Sequence, residues 1–280
     1  MLTRMGSRGA YKPLIEEDGD GPPVVLVHGT PLDLRCWDAL VPTLTQSLRT
    51  IRYDVRGHGT ASDCAMADGY AELADDLLAI LDRLRLDRVH VVGHSLGGQI
   101  AQAFALRSPQ RTASLTVICA RATPFAPFAG VAASIRATGL ATLVEPTLAR
   151  WFAPSALAPD APREEAAAVS YVRECLKRVD AEVYATALEL IASFDALGRL
   201  GELKIPARFL AAERDAVSGP EALRRSTEVM PGAELVVFAG AGHLLPLEHP
   251  RLVAESLLAS ISGSTDPHER REGRAEASRR

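Results

Sequence analysis

Three residues far apart in the chain could together make a nucleophile: Ser95, Asp215 and His243. A serine hydroxyl is a weak nucleophile at neutral pH and needs a base within hydrogen-bond reach. That base in turn needs a carboxylate to hold its tautomer and to stabilise the imidazolium it becomes. Ser95 sits in Gly93-His94-Ser95-Leu96-Gly97, a G-x-S-x-G pattern. The apolar Val89-His90-Val91-Val92 precedes it and a helical stretch, Gly98 to Leu106, follows. A strand–turn–helix setting makes this pentapeptide a nucleophile elbow, with the serine thrust out on a strained turn. The competing reading is a glycine-rich turn with an incidental serine.

His243 lies in Gly240-Ala241-Gly242-His243, directly after the strand-like Leu235-Val236-Val237-Phe238. Asp215 follows the strand-like Phe209-Leu210-Ala211, with Glu213 as its rival two residues earlier. An acyl-transfer site also needs two backbone donors for the oxyanion. One is expected at Leu96, the residue after the nucleophile. The other is expected at Thr30, in His28-Gly29-Thr30-Pro31, because Pro31 has no N–H. His28, His58 and His94 are expected to brace loops by hydrogen bonds and not to take protons in the reaction. Phe125, Phe128 and Trp151 are the aromatic candidates for a substrate pocket, with Phe152 and Tyr184 nearby in the sequence.

Positioning these groups requires a sheet whose strand ends meet at one edge. Short apolar strands are expected at Val24–Val27, Thr50–Tyr53, Val89–Val92, Leu115–Cys119, Arg208–Ala211 and Leu235–Phe238, as in a parallel sheet buried on both faces. Helices are expected at Cys36–Ser47, Tyr70–Leu84, Leu96–Arg107, Pro220–Met230 and Pro250–Ile261. In Tyr70–Leu84, Leu73, Leu77, Ile80, Leu81 and Leu84 share one helical face. An edge strand is expected over Ala10–Glu16. The fold class is therefore α/β, a mostly parallel sheet flanked by helices on both faces. Residues 1–120 and 201–262 form its core. Between 121 and 200 the rhythm gives way to consecutive helices broken by prolines, read as a lid inserted between core strands. Residues 263–280 are polar and charged, read as a disordered tail.

The 280 residues carry 47% hydrophobic side chains, enough for one large α/β domain, and a net charge of −4. That charge offers no general attraction to nucleic acid or to acidic lipid. Cys36, Cys64, Cys119 and Cys175 are widely spaced, without metal-ligand spacing, and are expected to be reduced. Met1–Lys12 lacks the apolar segment of a signal peptide, and no apolar run reaches membrane-spanning length. A cytoplasmic chain is expected, acting on a small molecule with no cofactor and no metal. The lid helices are compatible with a homo-oligomer.

The blocks His28-Gly29-x-Pro31, Asp54-x-Arg56-Gly57-His58-Gly59, Gly93-His94-Ser95-Leu96-Gly97-Gly98 and Gly240-Ala241-Gly242-His243 together resemble the α/β-hydrolase fold superfamily over Gly21 to Ile261. The order Ser95, Asp215, His243 is that superfamily's nucleophile–acid–histidine order. Ala149-Arg150-Trp151-Phe152-Ala153-Pro154 and Ile191-Ala192-Ser193-Phe194-Asp195 look like the lid of 3-oxoadipate enol-lactonases, a branch close to cofactor-free haloperoxidase-esterases. The resemblance implies a serine hydrolase of small carboxylic esters or lactones, including enol-lactones. A serine at position 95 argues against haloalkane dehalogenases and epoxide hydrolases, which use aspartate there. A perhydrolase of the cofactor-free haloperoxidase kind, differing in its pocket wall, would share these residues, and so would two further alternatives. One is carbon–carbon bond hydrolysis of vinylogous diketones, with Arg121, Arg136, Arg150 or Arg173 as lid cations. The other is a slow-turnover ligand-binding relative that keeps the triad.

Overall fold

The computed structural model describes residues 11–263. Seven strands form one sheet: β1 Ile15–Asp18, β2 Pro23–Val27, β3 Arg49–Tyr53, β4 Val89–His94, β5 Thr112–Ile118, β6 Ala207–Ala212 and β7 Glu234–Phe238, in the order β1-β3-β2-β4-β5-β6-β7. Every pairing is parallel except β1 with β3, which is antiparallel. Eleven α-helical segments connect or follow them among the described residues. They are α1 Val41–Leu44, α2 Tyr70–Arg83, α3 Leu96–Arg107, α4 Pro127–Thr138, α5 Val144–Trp151, α6 Arg163–Arg178, α7 Ala181–Ser193, α8 Leu197–Leu200, α9 Pro220–Val229, α10 Leu245–Glu248 and α11 Pro250–Gly263.

The central strands are apolar because both of their faces are covered. Val24 to Val27 of β2 and Val89, Val91 and Val92 of β4 have essentially no solvent exposure. Leu73, Leu77, Ile80 and Leu81 of α2 bury the apolar stripe expected from their spacing. The register aligns Val27 with Gly93 and Gly93 with Val117, so β2, β4 and β5 end together at one edge. β6 and β7 extend that edge, with Ala212 opposite Phe238. Loops carrying Thr30, Ser95, Cys119, Asp215 and His243 all leave the sheet there, the edge at which open α/β sheets hold ligands. Between β5 and β6 the chain forms α4 to α8, and α4 packs along α7. No helix among the described residues is long and apolar enough to cross a membrane.

Three expectations about elements are corrected. The helix expected at Cys36–Ser47 is two short pieces, a 3-10 turn at Leu34–Trp37 and then α1. Pro42 has no N–H to continue a helix from the first piece, and the Asp33 carboxylate caps that piece by accepting the Arg35 N–H. The edge strand expected at Ala10–Glu16 is β1, displaced to Ile15–Asp18, while Ala10 lies outside the described residues. Charge holds β1 in place: Arg52 of β3, nearly buried, donates to Glu16 at 2.7 Å and to Asp18 at 2.9 Å. Gly263, expected to open the tail, instead closes α11, and residues 264–280 lie outside the described residues. All four cysteines are buried, unpaired thiols.

Candidate active site

Ser95 joins β4 to α3 in a backbone conformation that L-residues avoid, φ 54° and ψ −121°. Close approach forces that turn. A Cβ on Gly93 would run into the Gly97 carbonyl, and one on Gly97 would run into the carbonyls of Val27 and His28. Neighbouring backbone holds the strained residue: its N–H donates to the Ile118 carbonyl at 2.9 Å, and its own carbonyl accepts from Gly98 at 2.9 Å. Strain of this kind persists only where the surroundings over-determine it. The start of α3, with its unpaired N–H groups and positive dipole end, follows at Leu96.

His243 is clamped through its main chain. Its N–H donates to the Trp151 carbonyl at 2.7 Å, and its carbonyl accepts from His94 Nε2 at 2.9 Å. Its ring lies between two partners, with Nδ1 2.6 Å from Asp215 Oδ2 and Nε2 3.1 Å from Ser95 Oγ. An ionised carboxylate can only accept, so Nδ1–H donates to Asp215 and the Nε2 lone pair faces the serine hydroxyl. The other Asp215 oxygen accepts from the Val217 and Ser218 N–H groups at 2.9 and 3.0 Å. Burial by itself would raise the Asp215 pKa. The His243 charge and hydrogen bond, with the two backbone donors, outweigh burial and hold the carboxyl below its usual range.

Glu213, the rival acid, turns elsewhere: its Oε2 accepts the Gly240 N–H at 2.7 Å and shapes the loop that carries His243. The other histidines sit in bracing positions. His28 donates from Nδ1 to the Gly29 carbonyl at 3.0 Å and accepts the Val55 N–H at Nε2, 2.9 Å away. His58 donates from Nδ1 to the Arg56 carbonyl and accepts the Thr30 hydroxyl at Nε2, both at 2.8 Å. Burial is the largest cause that pushes the pKa values of His58 and His94 down, to about 4 and about 3. Both rings are therefore neutral at pH 7.

A cavity of about 20 Å³ opens on Ser95 and His243. Phe128 of α4, Trp151 of α5, and Leu188 and Ile191 of α7 form its apolar ceiling, and Cys119 and Ala120 after β5 form one wall. Thr30 lines it as well. Phe125, expected on the pocket wall, stands behind it instead: its ring packs edge-on against Phe128, with centroids 4.9 Å apart. Phe152 and Tyr184 are buried but do not line the cavity. A larger cavity of about 380 Å³, bordered by Arg35, His58 and Arg178, does not contain the serine.

Sequence reasoning did not single out Gln99, Cys119, Leu188, Ile191 or Ser218 as pocket residues. Cys119 and Ser218 carried a usable signal, because each follows a core strand at the same edge. Leu188 and Ile191 carried none, since an apolar i, i+3 pair on a helix serves a core equally well. Cys119, Asp215 and His243 bring potential metal-ligand atoms within 4.8 Å of one another. The Asp215 and His243 atoms among them are already engaged in the hydrogen bonds above.

The alpha/beta hydrolase family profile matches residues 24–256. A pimeloyl-[acyl-carrier protein] methyl ester esterase of Nitrosomonas europaea is 29% identical over 84% of this chain and 94% of its own length. The 3-oxoadipate enol-lactonase 1 of Acinetobacter baylyi is 29% identical over 71% of this chain and 73% of its own. A solved thermophilic esterase of Thermogutta terrifontis superposes with a TM-score of 0.83 at 29% identity, over 94% of this chain and 97% of that one. On the profile match alone, which spans most of its length, the chain belongs to the alpha/beta hydrolase family.

Proposed function

We propose that this hydrolase cleaves small carboxylic esters or lactones through Ser95, His243 and Asp215. The observation that carries the reading is the pair of contacts on one imidazole, 2.6 Å to Asp215 and 3.1 Å to Ser95, around a serine in a strained turn. Ser95 Oγ attacks the carbonyl carbon as its proton passes to His243 Nε2. Asp215 keeps Nδ1 protonated beforehand and faces the imidazolium that forms. The N–H groups of Leu96 and Thr30 receive the oxyanion. In support, neither N–H donates to a backbone carbonyl outside the helices and strands among the described residues. The bond to the leaving oxygen then breaks, and His243 returns its proton to that oxygen. In a second cycle His243 draws a proton from water as the water oxygen attacks the acyl-Ser95 carbonyl, and it returns that proton to Ser95 Oγ as the acyl–Oγ bond breaks and the acid is freed. With a lactone the leaving oxygen stays tethered, and the product is a single hydroxy- or keto-acid.

The mainly apolar lining of the cavity favours an apolar acyl group. Initial rates on p-nitrophenyl acetate test the reading. Ser95→Ala is expected to lower turnover by about 10⁴-fold or more. Equal rates in the variant and the wild type would refute it, and a burst without steady turnover would favour a slow ligand-binding protein.

A further inference from the structure

The walls of the Ser95 cavity determine which acyl groups it admits, and their charge is one-sided. Its ceiling is apolar, and no lysine or arginine is among the residues that line it. Two carboxylates lie close to the chemistry: Asp215, almost fully buried and with its pKa held below its usual range, and Glu248, whose Oε1 accepts the Ala153 N–H at 2.9 Å beside the loop that carries His243. The one amide on the wall is held by two bonds: Gln99 Oε1 accepts the Tyr70 hydroxyl at 2.5 Å, and one N–H of its Nε2 donates to the Arg121 carbonyl at 3.2 Å.

None of the four arginines expected as lid cations lines the cavity. Arg121 comes closest, since it donates from Nη1 to the carbonyl of Val217, a cavity residue, at 3.1 Å. Its other two nitrogens donate to Thr123 Oγ1 at 3.1 and 3.0 Å, and its guanidinium lies over the Phe125 ring, 5.1 Å from the centroid. Arg136 is paired with Glu182 and Glu189, and Arg173 with Glu145, all at the surface. Arg150 is exposed, 6.0 Å from the centroid of the Trp151 ring.

Resting on the serine-hydrolase reading, we infer that the site selects uncharged acyl groups and rejects esters or lactones that carry a free carboxylate. A carboxylate moved from water into this cavity would lose its hydration and meet no cation among the lining residues, beside a buried anion. 3-Oxoadipate enol-lactone, for which one relative is named, keeps one free carboxylate and would be a poor substrate here. Carbon–carbon cleavage of carboxylate-bearing diketones is equally disfavoured. A neutral enol-lactone meets no such barrier.

Three substrates on one ring isolate charge from size: α-angelica lactone, the same ring bearing a carboxymethyl group (3-oxoadipate enol-lactone), and its carboxamidomethyl isostere. The wild-type protein is used throughout, at pH 7. The expected result is kcat/KM for the carboxylate at least about 100-fold below that for the amide, with the amide within about 10-fold of α-angelica lactone. A smaller gap between carboxylate and amide overturns the inference but leaves Ser95-dependent hydrolysis standing. An amide as slow as the carboxylate also overturns it, by making size the cause of rejection. If none of the three is opened, labelling with a fluorophosphonate separates the remaining cases. A labelled Ser95 means that the substrate class is wrong and the hydrolase reading survives, whereas an unlabelled Ser95 means that both fail.

Discussion

At the scale of single residues, the site depends on which atom of His243 carries the proton. Asp215 accepts from Nδ1, and two backbone N–H groups hold its second oxygen, so the carboxylate cannot rotate away. Asp215→Asn keeps the shape but can present its amide N–H to Nδ1, which puts the proton on Nε2 and removes the base. It is expected to lower kcat by roughly 10³- to 10⁴-fold, measured on p-nitrophenyl acetate. Glu213→Gln, at the neighbouring rival acid, is expected to stay within about 10-fold of wild type, because the Glu213 carboxylate accepts from the Gly240 N–H and makes no bond to His243. Equal losses in the two variants would show that the acid has been misassigned. The residues of this constellation were legible in the sequence because each follows a core strand in a loop of distinctive type. Phe125 misled because aromatic character says that a side chain is buried, not which cavity it borders.

At the scale of elements, the elbow depends on backbone meeting backbone. Gly93 faces the Gly97 carbonyl, so a methyl group there must displace α3 or β4. Gly93→Ala is expected to destabilise the fold by roughly 2 kcal/mol or more, read from the urea midpoint. Gly130→Ala is the control, since a Cβ there meets nothing within 4 Å and replaces glycine inside α4. It is expected to be neutral or slightly stabilising. Central strands and long helices were readable because burial imposes period and composition on them: β4 is buried throughout, and α2 has a clean apolar stripe. The departures have local causes of another kind. Pro42 breaks a continuous helical pattern, and the polar Ile15–Asp18 pairs at the edge because Arg52 and Arg49 receive its carboxylates. Charge pairing between distant segments leaves no periodic mark in a sequence.

For the whole molecule, buried neutral histidines link folding to pH. His58 and His90 are pushed down to about 4, and His94 to about 3, with burial the largest cause for each. Each folded-state pKa lies below the unfolded value near 6.5, so the unfolded chain binds protons first as the pH falls. Stability from these groups is therefore full above about pH 6.5 and is lost as the pH falls toward 4 and 3. The loss is on the order of 3 kcal/mol per histidine. The depressed Asp215 carboxyl has the same sign: its contribution is present above the ordinary aspartate range and is lost as the pH falls through its lowered pKa. Urea unfolding at pH 7.5 and at pH 4.5 is expected to show a clearly lower midpoint in acid, and identical midpoints would contradict it. The same sheet that buries these rings brings three strand ends to one edge, and the central claim concerns what happens there.

The most direct test of that claim is intact-mass and peptide mass spectrometry after treatment with a fluorophosphonate at pH 7.5. One adduct per chain is expected, located on Ser95, abolished in Ser95→Ala and slowed by at least about 100-fold in His243→Ala. An adduct on another residue, or Ser95 labelled equally fast without His243, would contradict the proposed triad.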